Sequence, residues 1–331
     1  MCTAIVYQGA DHYFGRNLDL EYGYDEEVCI LPRNYPLVFR RVKSLPTHYA
    51  MIGMATVADD IPLFYEATNE KGLSMAGLNF PGNAHYLPEI AGKDNIAPFE
   101  FIPWILGQCD SVSQAKELIN QMNLVDISFS QDLPLSPLHW MIADRKEQIV
   151  VEPMADGLRI YHNPVGVLTN NPPFDYHMHH LCDYMNLTAN MAEDHFSDAL
   201  LLRAYSNGMG AMGLPGDFSS ASRFVRAAFV AQNSPVEKSE SGSVHQFFHI
   251  LSSVAMPRGS VRIHGAHEIT RYSCCCNTNR GIYYYTTYEN SRITGIDMHR
   301  ENLDGSKPIR YPLITAPQIL MQNQAKDGIG Q

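Results

Sequence analysis

A cysteine at position 2, an arginine and an aspartate at positions 16 and 19, and two asparagines that end apolar runs, Asn79 and Asn170, are the groups in this chain whose types suggest joint chemistry. Loss of Met1 ahead of so small a second residue would leave Cys2 with a thiol and a free α-amine. The thiolate form of such a thiol is the nucleophile. An α-amine with an ordinary pKa of about 7.7–8 accepts a proton near neutrality, so nucleophile and base would share one residue. If Cys2–Tyr7 and His12–Leu20 pair as a hairpin, Arg16 and Asp19 come close to Cys2. A guanidinium there favours thiolate, and a carboxylate can accept from the α-amine and orient it. An ion pair on an edge strand uses the same residues without any chemistry, and both readings stay open. Asn79 stands before Phe80-Pro81-Gly82, and Asn170 before Asn171-Pro172-Pro173. Each amide could serve an oxyanion, or simply open a turn, the commoner use of asparagine.

Three other clusters invite chemistry and lose it on inspection. Gly208-Met209-Gly210-Ala211-Met212-Gly213 has dinucleotide-binding glycine spacing, but Leu214-Pro215-Gly216 blocks the helix that should receive a pyrophosphate. It reads as a flexible loop. His177-Met178-His179-His180-Leu181-Cys182 lacks the spaced second pair of a zinc site and reads as a helical surface. Cys274-Cys275-Cys276 must alternate faces in a strand and cannot converge on one ion.

The 331 residues carry 24 Lys+Arg against 35 Asp+Glu, a net charge of −11. That balance argues against phosphate-driven nucleic-acid binding and against a polybasic membrane surface. No apolar stretch approaches membrane-spanning length, and no secretory signal is visible. Seven irregularly spaced cysteines, three of them consecutive, do not make a disulfide framework and fit a reducing cytoplasm.

The elements that must position Cys2, Arg16 and Asp19 are strands at Cys2–Tyr7 and His12–Leu20. Further strands are expected at Val28–Arg33, Leu37–Val42, Tyr49–Thr56, Leu73–Leu78, Leu138–Ala143, Ile149–Pro153, Leu158–Tyr161 and Gly166–Thr169. Others follow at Tyr272–Cys276, Ile282–Tyr288 and Ile293–Asp297. Helices are expected at Phe99–Leu106, Ser111–Asn123, Ser220–Ala231 and Val244–Ala255. Blocks of strands separated by blocks of helices indicate an α+β fold rather than a βαβ alternation. One domain over 1–331 is expected, despite the length.

Several ordered motifs make the chain resemble the choloylglycine hydrolase family: Met1-Cys2-Thr3, Phe14-Gly15-Arg16-Asn17-Leu18-Asp19, Asn69-Glu70-Lys71-Gly72-Leu73 and Met75-Ala76-Gly77-Leu78-Asn79-Phe80-Pro81. Leu138-His139-Trp140, Val167-Leu168-Thr169-Asn170, Gly213-Leu214-Pro215-Gly216-Asp217-Phe218, Ala221-Ser222-Arg223-Phe224 and Gly281-Ile282-Tyr283-Tyr284-Tyr285 continue the likeness over nearly the whole chain. Within the family it is most similar to the bile salt hydrolases of Gram-positive gut bacteria.

The resemblance implies a four-layer αββα N-terminal-nucleophile hydrolase sandwich with two antiparallel sheets and Met1 removed. It makes Cys2 the nucleophile and its amine the base. Arg16 and Asp19 flank them, Asn79 and Asn170 form the oxyanion hole, and Arg223 completes the electrostatic site. It implies hydrolysis of glycine- or taurine-conjugated bile acids through an acyl-enzyme, with transfer to another amine as a side reaction, no metal or organic cofactor, and a homotetramer. Penicillin V acylase activity is the alternative. That sister group commonly has Tyr where this chain has Asn79, which favours bile salts. Leu18, Tyr24, Leu133 and Leu135 are the expected pocket walls beside Cys2, Arg16 and Asn79, although each could equally be an ordinary core or loop residue.

Overall fold

The computed structural model of the chain describes residues 1–323. Two antiparallel sheets organise it. The first runs in the order Val167–Leu168, Cys2–Gln8, His12–Leu20, Ala266–Asn277, Ile282–Thr287 and Thr294–Asp297, with Val261–Ile263 also paired to Ala266–Asn277. The second runs Gly157–His162, Gln148–Met154, Leu138–Ala143, Ser74–Asn79, Ile61–Asn69, Met51–Ala58, Glu27–Leu31 and Ile309–Pro312.

Side-chain alternation shows that the second sheet is covered on both faces. Val28 and Ile30 join one buried cluster while Cys29 and Leu31 join another, and Val150 is likewise separated from Ile149 and Val151. Successive strand residues face opposite ways, so each cluster marks one face. The outer cluster holds Trp104, Ile105, Ala115 and Ile119, from helices Phe101–Leu106 and Val112–Ile119. Phe224, Ala227, Phe247 and Leu251, from helices Ser220–Asn233 and Glu240–Ser252, join the cluster that contains the first sheet's Ile5, Tyr13 and Cys275. The layers are therefore helices, sheet, sheet, helices, the expected αββα sandwich. Three of these helices start where a serine accepts from the backbone N–H three residues on: Ser111, Ser219 and Ser239.

Four local expectations change. Leu37–Val42 is not a strand: Leu37 and Leu45 exchange backbone hydrogen bonds of 2.9 Å, so the segment turns back on itself. The Ser111–Asn123 helix stops at Ile119, and Met122–Leu124 pairs in parallel with Asp94–Ile96. The helix expected from Val244 begins earlier, at Glu240, where Ser239 caps it. Ile61–Asn69, absent from the pattern-based reading, is a nine-residue strand of the second sheet.

The first hairpin forms as expected. Cys2 pairs with Leu18, Thr3 with Asn17 and Ala4 with Arg16. Opposed residues share a face, so Cys2, Ala4, Arg16 and Leu18 point one way, and Thr3, Asn17 and Asp19 the other. Met1 extends the pairing by one residue: its carbonyl accepts from the Asp19 N–H at 2.9 Å, and its amine donates to the Asp19 carbonyl at 2.6 Å.

Candidate active site

Cys2 ends its strand in the interior, 3% exposed. Its backbone N–H donates to Asn170 Oδ1 at 2.8 Å, and the same oxygen accepts from Arg223 Nη2 at 2.8 Å. Arg223 Nη1 donates to the Cys2 carbonyl at 2.5 Å and to Thr3 Oγ1 at 2.6 Å, while Nε donates to the Phe218 carbonyl at 3.1 Å. One fully buried guanidinium thus grips the strand end from the helix side. Burial pulls the Arg223 pKa below its ordinary value, against the opposing pull of Asp19, Cys2 and Glu268.

Asn170 Nδ2 donates to the Asn79 carbonyl at 2.7 Å, so the two strand-end asparagines are joined directly. An amide nitrogen carries two hydrogens, and this contact uses one of them. The Asn79 side chain is exposed and has no hydrogen-bond partner among the described residues.

Arg16, fully buried on the face shared with Cys2, donates through Nη1 to the carbonyls of Gly77 at 2.5 Å and Tyr65 at 3.3 Å. Its Nη2 is buried without a partner among the described residues. Desolvation opposes its charge, but Cys2, Tyr272 and Glu66 outweigh that and raise its pKa. Glu66 stands behind it, accepting from Tyr283 Oη at 2.6 Å, Tyr272 Oη at 2.8 Å and Cys274 Sγ at 3.4 Å. Burial pushes the Glu66 carboxyl up, while Arg16 and these donors pull it back.

Asp19 lies on the opposite face. Its Oδ1 accepts from Thr270 Oγ1 at 2.6 Å, and Oδ2 has no partner among the described residues. Burial raises its pKa against Arg223, the chain amine, Thr270 and Arg16. The Met1 amine is ion-paired with buried Glu268, while the Cys2 nitrogen goes to Asn170 and not to Asp19.

A cavity of about 310 Å³ lies beside the Ser74–Asn79 strand, walled by Tyr24, Phe99, Ile102, Ile127, Phe129, Leu133, Leu135 and the backbone of Gly77. Gly77 is also the residue whose carbonyl takes the Arg16 guanidinium, so the cavity wall and the buried cation meet there. Tyr24, Leu133 and Leu135 line this cavity, whereas Leu18, paired with Cys2 and 3% exposed, does not, and neither do Cys2, Arg16 and Asn79. None of Gly208–Gly213 lines the cavity. His177 is no surface histidine either, being fully buried. Sequence reasoning also missed Glu66, Tyr272, Tyr283, Phe129 and Glu268. A glutamate within the β-rich run Ile61–Asn69 was the available signal for Glu66.

These layers, with the N-terminal strand carrying Cys2 into the sandwich, define an N-terminal-nucleophile hydrolase. A family profile described as linear amide C–N hydrolases, choloylglycine hydrolase family, matches residues 2–311, and the chain belongs to that family. It is 53% identical over 324 residues to a bile salt hydrolase/transferase of Lactiplantibacillus plantarum, covering 98% of this chain and 100% of that one. It is 43% identical to a bile salt hydrolase/transferase of Clostridium perfringens, covering 94% and 96%. A crystal structure of the conjugated bile acid hydrolase from Clostridium perfringens superposes with a TM-score of 0.90 at 41% identity, covering 98% of this chain and 100% of that chain. Penicillin V acylase from Agrobacterium tumefaciens shares the fold, with a TM-score of 0.74 at 19% identity over 95% of this chain and 92% of that one.

Proposed function

We propose that this chain, as a single domain, hydrolyses the amide bond of glycine- or taurine-conjugated bile acids, with Cys2 as nucleophile. The observation that carries the reading is that the Cys2 N–H and Arg223 meet on Asn170 Oδ1, while Arg16, on the Cys2 face of the hairpin, donates to the Gly77 carbonyl at the wall of an apolar cavity. The cavity suits a steroid, and its volume lies at the small end of ordinary ligand sites.

With Met1 removed, the Cys2 α-amine takes the thiol proton and the thiolate attacks the scissile carbonyl. A tetrahedral oxyanion forms, held by the free N–H of Asn170 Nδ2 and a donor at Asn79. Collapse breaks the C–N bond as the α-ammonium returns its proton to the leaving amine. The α-amine, neutral again, takes a proton from water as that water attacks the thioester; collapse releases the bile acid and the Cys2 thiolate, beside the α-ammonium. Another amine in place of that water gives acyl transfer, the proposed side activity. Arg16 and Arg223 offset negative charge at the thiolate, and Asp19 orients the amine. None of these steps requires a cofactor.

Among the described residues no helix is long and apolar enough to cross a membrane. We place the enzyme in the cytoplasm as a homotetramer. The test is a parallel assay of glycocholate, taurocholate and penicillin V with the wild type and Cys2→Ala. Bile-salt turnover lost in a folded Cys2→Ala is the expected result. Faster turnover of penicillin V, or hydrolysis by Cys2→Ala, overturns the reading.

A further inference from the structure

We propose that His139 and His177 are positioning residues, paired imidazole clamps that hold Asn79, Asn170 and Arg223 in the arrangement that acyl transfer at Cys2 requires. The proposal rests on the oxyanion reading given above.

Both rings are fully buried, His139 on the Leu138–Ala143 strand and His177 on the Phe174–Leu181 helix. Their Nε2 atoms meet consecutive backbone carbonyls: His139 that of Thr169 and His177 that of Asn170, each at 2.9 Å. A carbonyl only accepts, so each Nε2 carries the hydrogen. The segment bearing the Asn170 amide is therefore held from two different elements.

Each ring also lies against the phenylalanine that follows another site residue. His139 stacks on Phe80 at 4.2 Å with an interplanar angle of 5°, and Phe80 follows Asn79. His177 stacks on Phe224 at 4.7 Å and 18°, and Phe224 follows Arg223. The clamps thus bracket the two contacts that define the site: Asn170 Nδ2 to the Asn79 carbonyl, and Arg223 Nη2 to Asn170 Oδ1.

Glu152 ties the clamps together. Its Oε1 lies 3.0 Å from His139 Nδ1 and accepts from the Phe174 N–H at 3.0 Å, at the start of the helix that carries His177. With Nε2–H committed to Thr169, Nδ1 is the ring atom left to meet Oε1, so both nitrogens of His139 are engaged. Apolar rings would fill these volumes without burying polar groups. The nitrogens supply direction that an apolar ring lacks: His177 Nδ1 and Glu152 Oε2 are buried without a partner among the described residues, so the geometry is fixed through the Nε2 contacts and Glu152 Oε1.

The test uses His139→Phe and His177→Phe in the full chain, which keep a ring against Phe80 and Phe224 but lose both nitrogens. Two rates are compared: glycocholate turnover, which forms an oxyanion, and iodoacetamide alkylation of Cys2, which forms none and is read at the Cys2 peptide by mass spectrometry. We expect kcat to fall by roughly tenfold or more, with KM and the alkylation rate within about twofold of wild type. His139→Gln and His177→Gln, whose amides can donate to the same carbonyls, should recover part of kcat.

Unchanged kcat in both Phe variants, or turnover and alkylation falling together, overturns the proposal. Should the Phe variants not fold, the Gln variants decide: reduced kcat with intact alkylation supports it, and anything else overturns it. Asn170→Ala separates the two layers of inference. Full turnover in that variant removes the oxyanion reading itself, whereas its loss beside active histidine variants removes only the clamps.

Discussion

Glu66 Oε2 lies 3.8 Å from Arg16 Nε, with both side chains buried between the sheets. Two phenols, a thiol and the guanidinium face this carboxyl, an arrangement that favours the carboxylate. Removing one partner of a buried pair strands the other charge, at a cost of several kcal/mol. Glu66→Gln keeps the volume and part of the hydrogen bonding, so it isolates the lost charge. It should lower unfolding stability by about 3 kcal/mol, measured by urea denaturation, and reduce turnover by loosening Arg16. A change below about 1 kcal/mol, the scale of a surface pair, would mean that Glu66 does not balance Arg16.

His177 gives the folded state a pH dependence of definite sign. Burial lowers its pKa from 6.5 to about 4, outweighing its bond to the Asn170 carbonyl. The unfolded chain therefore takes up a proton that the folded chain refuses as pH falls below 6.5. The contribution is intact above pH 6.5 and is lost progressively down to about pH 4. The full loss is roughly 3 kcal/mol. Buried His12, also lowered to about 4, acts in the same direction. Unfolding measured from pH 7.5 to pH 4.5 should show wild type losing stability faster than His177→Gln. Parallel curves would contradict the neutral buried imidazole.

The cavity wall should affect KM more than kcat. Leu135 contacts the cavity without belonging to the core, whereas Leu18 does the reverse. Trimming Leu135 to alanine removes apolar contact worth about 1 kcal/mol, or roughly fivefold in KM for glycocholate, with kcat little changed. Leu18→Ala should instead lower stability by about 2–5 kcal/mol, as large-to-small core changes do. Steady-state kinetics and thermal melts on the two variants separate the roles, and a reversed pattern would relocate the steroid.

The parts legible in the sequence were those with short-range causes. The Cys2–Gln8 and His12–Leu20 hairpin follows from period-two patterning around the Gln8-Gly9-Ala10-Asp11 turn, and its register delivers Arg16 to the face of Cys2. Ser219 marks the start of the helix that carries Arg223. Leu18 draws attention by its place between Arg16 and Asp19 on the second strand, and that place in the sequence says nothing about which layer fills the space against it: it pairs with Cys2 and is buried. His177 looked like one of several surface histidines, yet it alone of His177, His179 and His180 is buried, a distinction set by Phe224 and the Asn170 carbonyl. The Glu66 network joins residues more than 200 positions apart, a separation no local pattern encodes.

Arg223 should tolerate no cationic substitute. Its planar fork reaches the Cys2 carbonyl, Thr3 Oγ1, Asn170 Oδ1 and the Phe218 carbonyl from one buried position. A lysine ammonium cannot span that set, and each abandoned buried acceptor costs about 1–3 kcal/mol. Arg223→Lys should therefore lose both stability and turnover, seen in a melt and a glycocholate assay on one preparation. Wild-type behaviour in both would show that only the charge matters.

Retention of Met1 tests the α-amine directly. In the folded chain the Met1 amine is held by the Asp19 carbonyl and Glu268, and the Cys2 nitrogen is an amide donating to Asn170 Oδ1. An amide nitrogen has no basic lone pair, so it cannot take the thiol proton. Removal of Met1 turns that nitrogen into an amine beside the thiol. Protein made with methionine aminopeptidase inhibited should keep the fold, carry Met1 by intact mass, and turn over glycocholate at least about a hundredfold more slowly, the lower range for loss of a general base. Subsequent aminopeptidase treatment of the unfolded chain, followed by refolding, should restore activity in proportion to the Met1 removed. A Met1-bearing enzyme at full rate would transfer the base to another group, with buried Asp19 the first to examine.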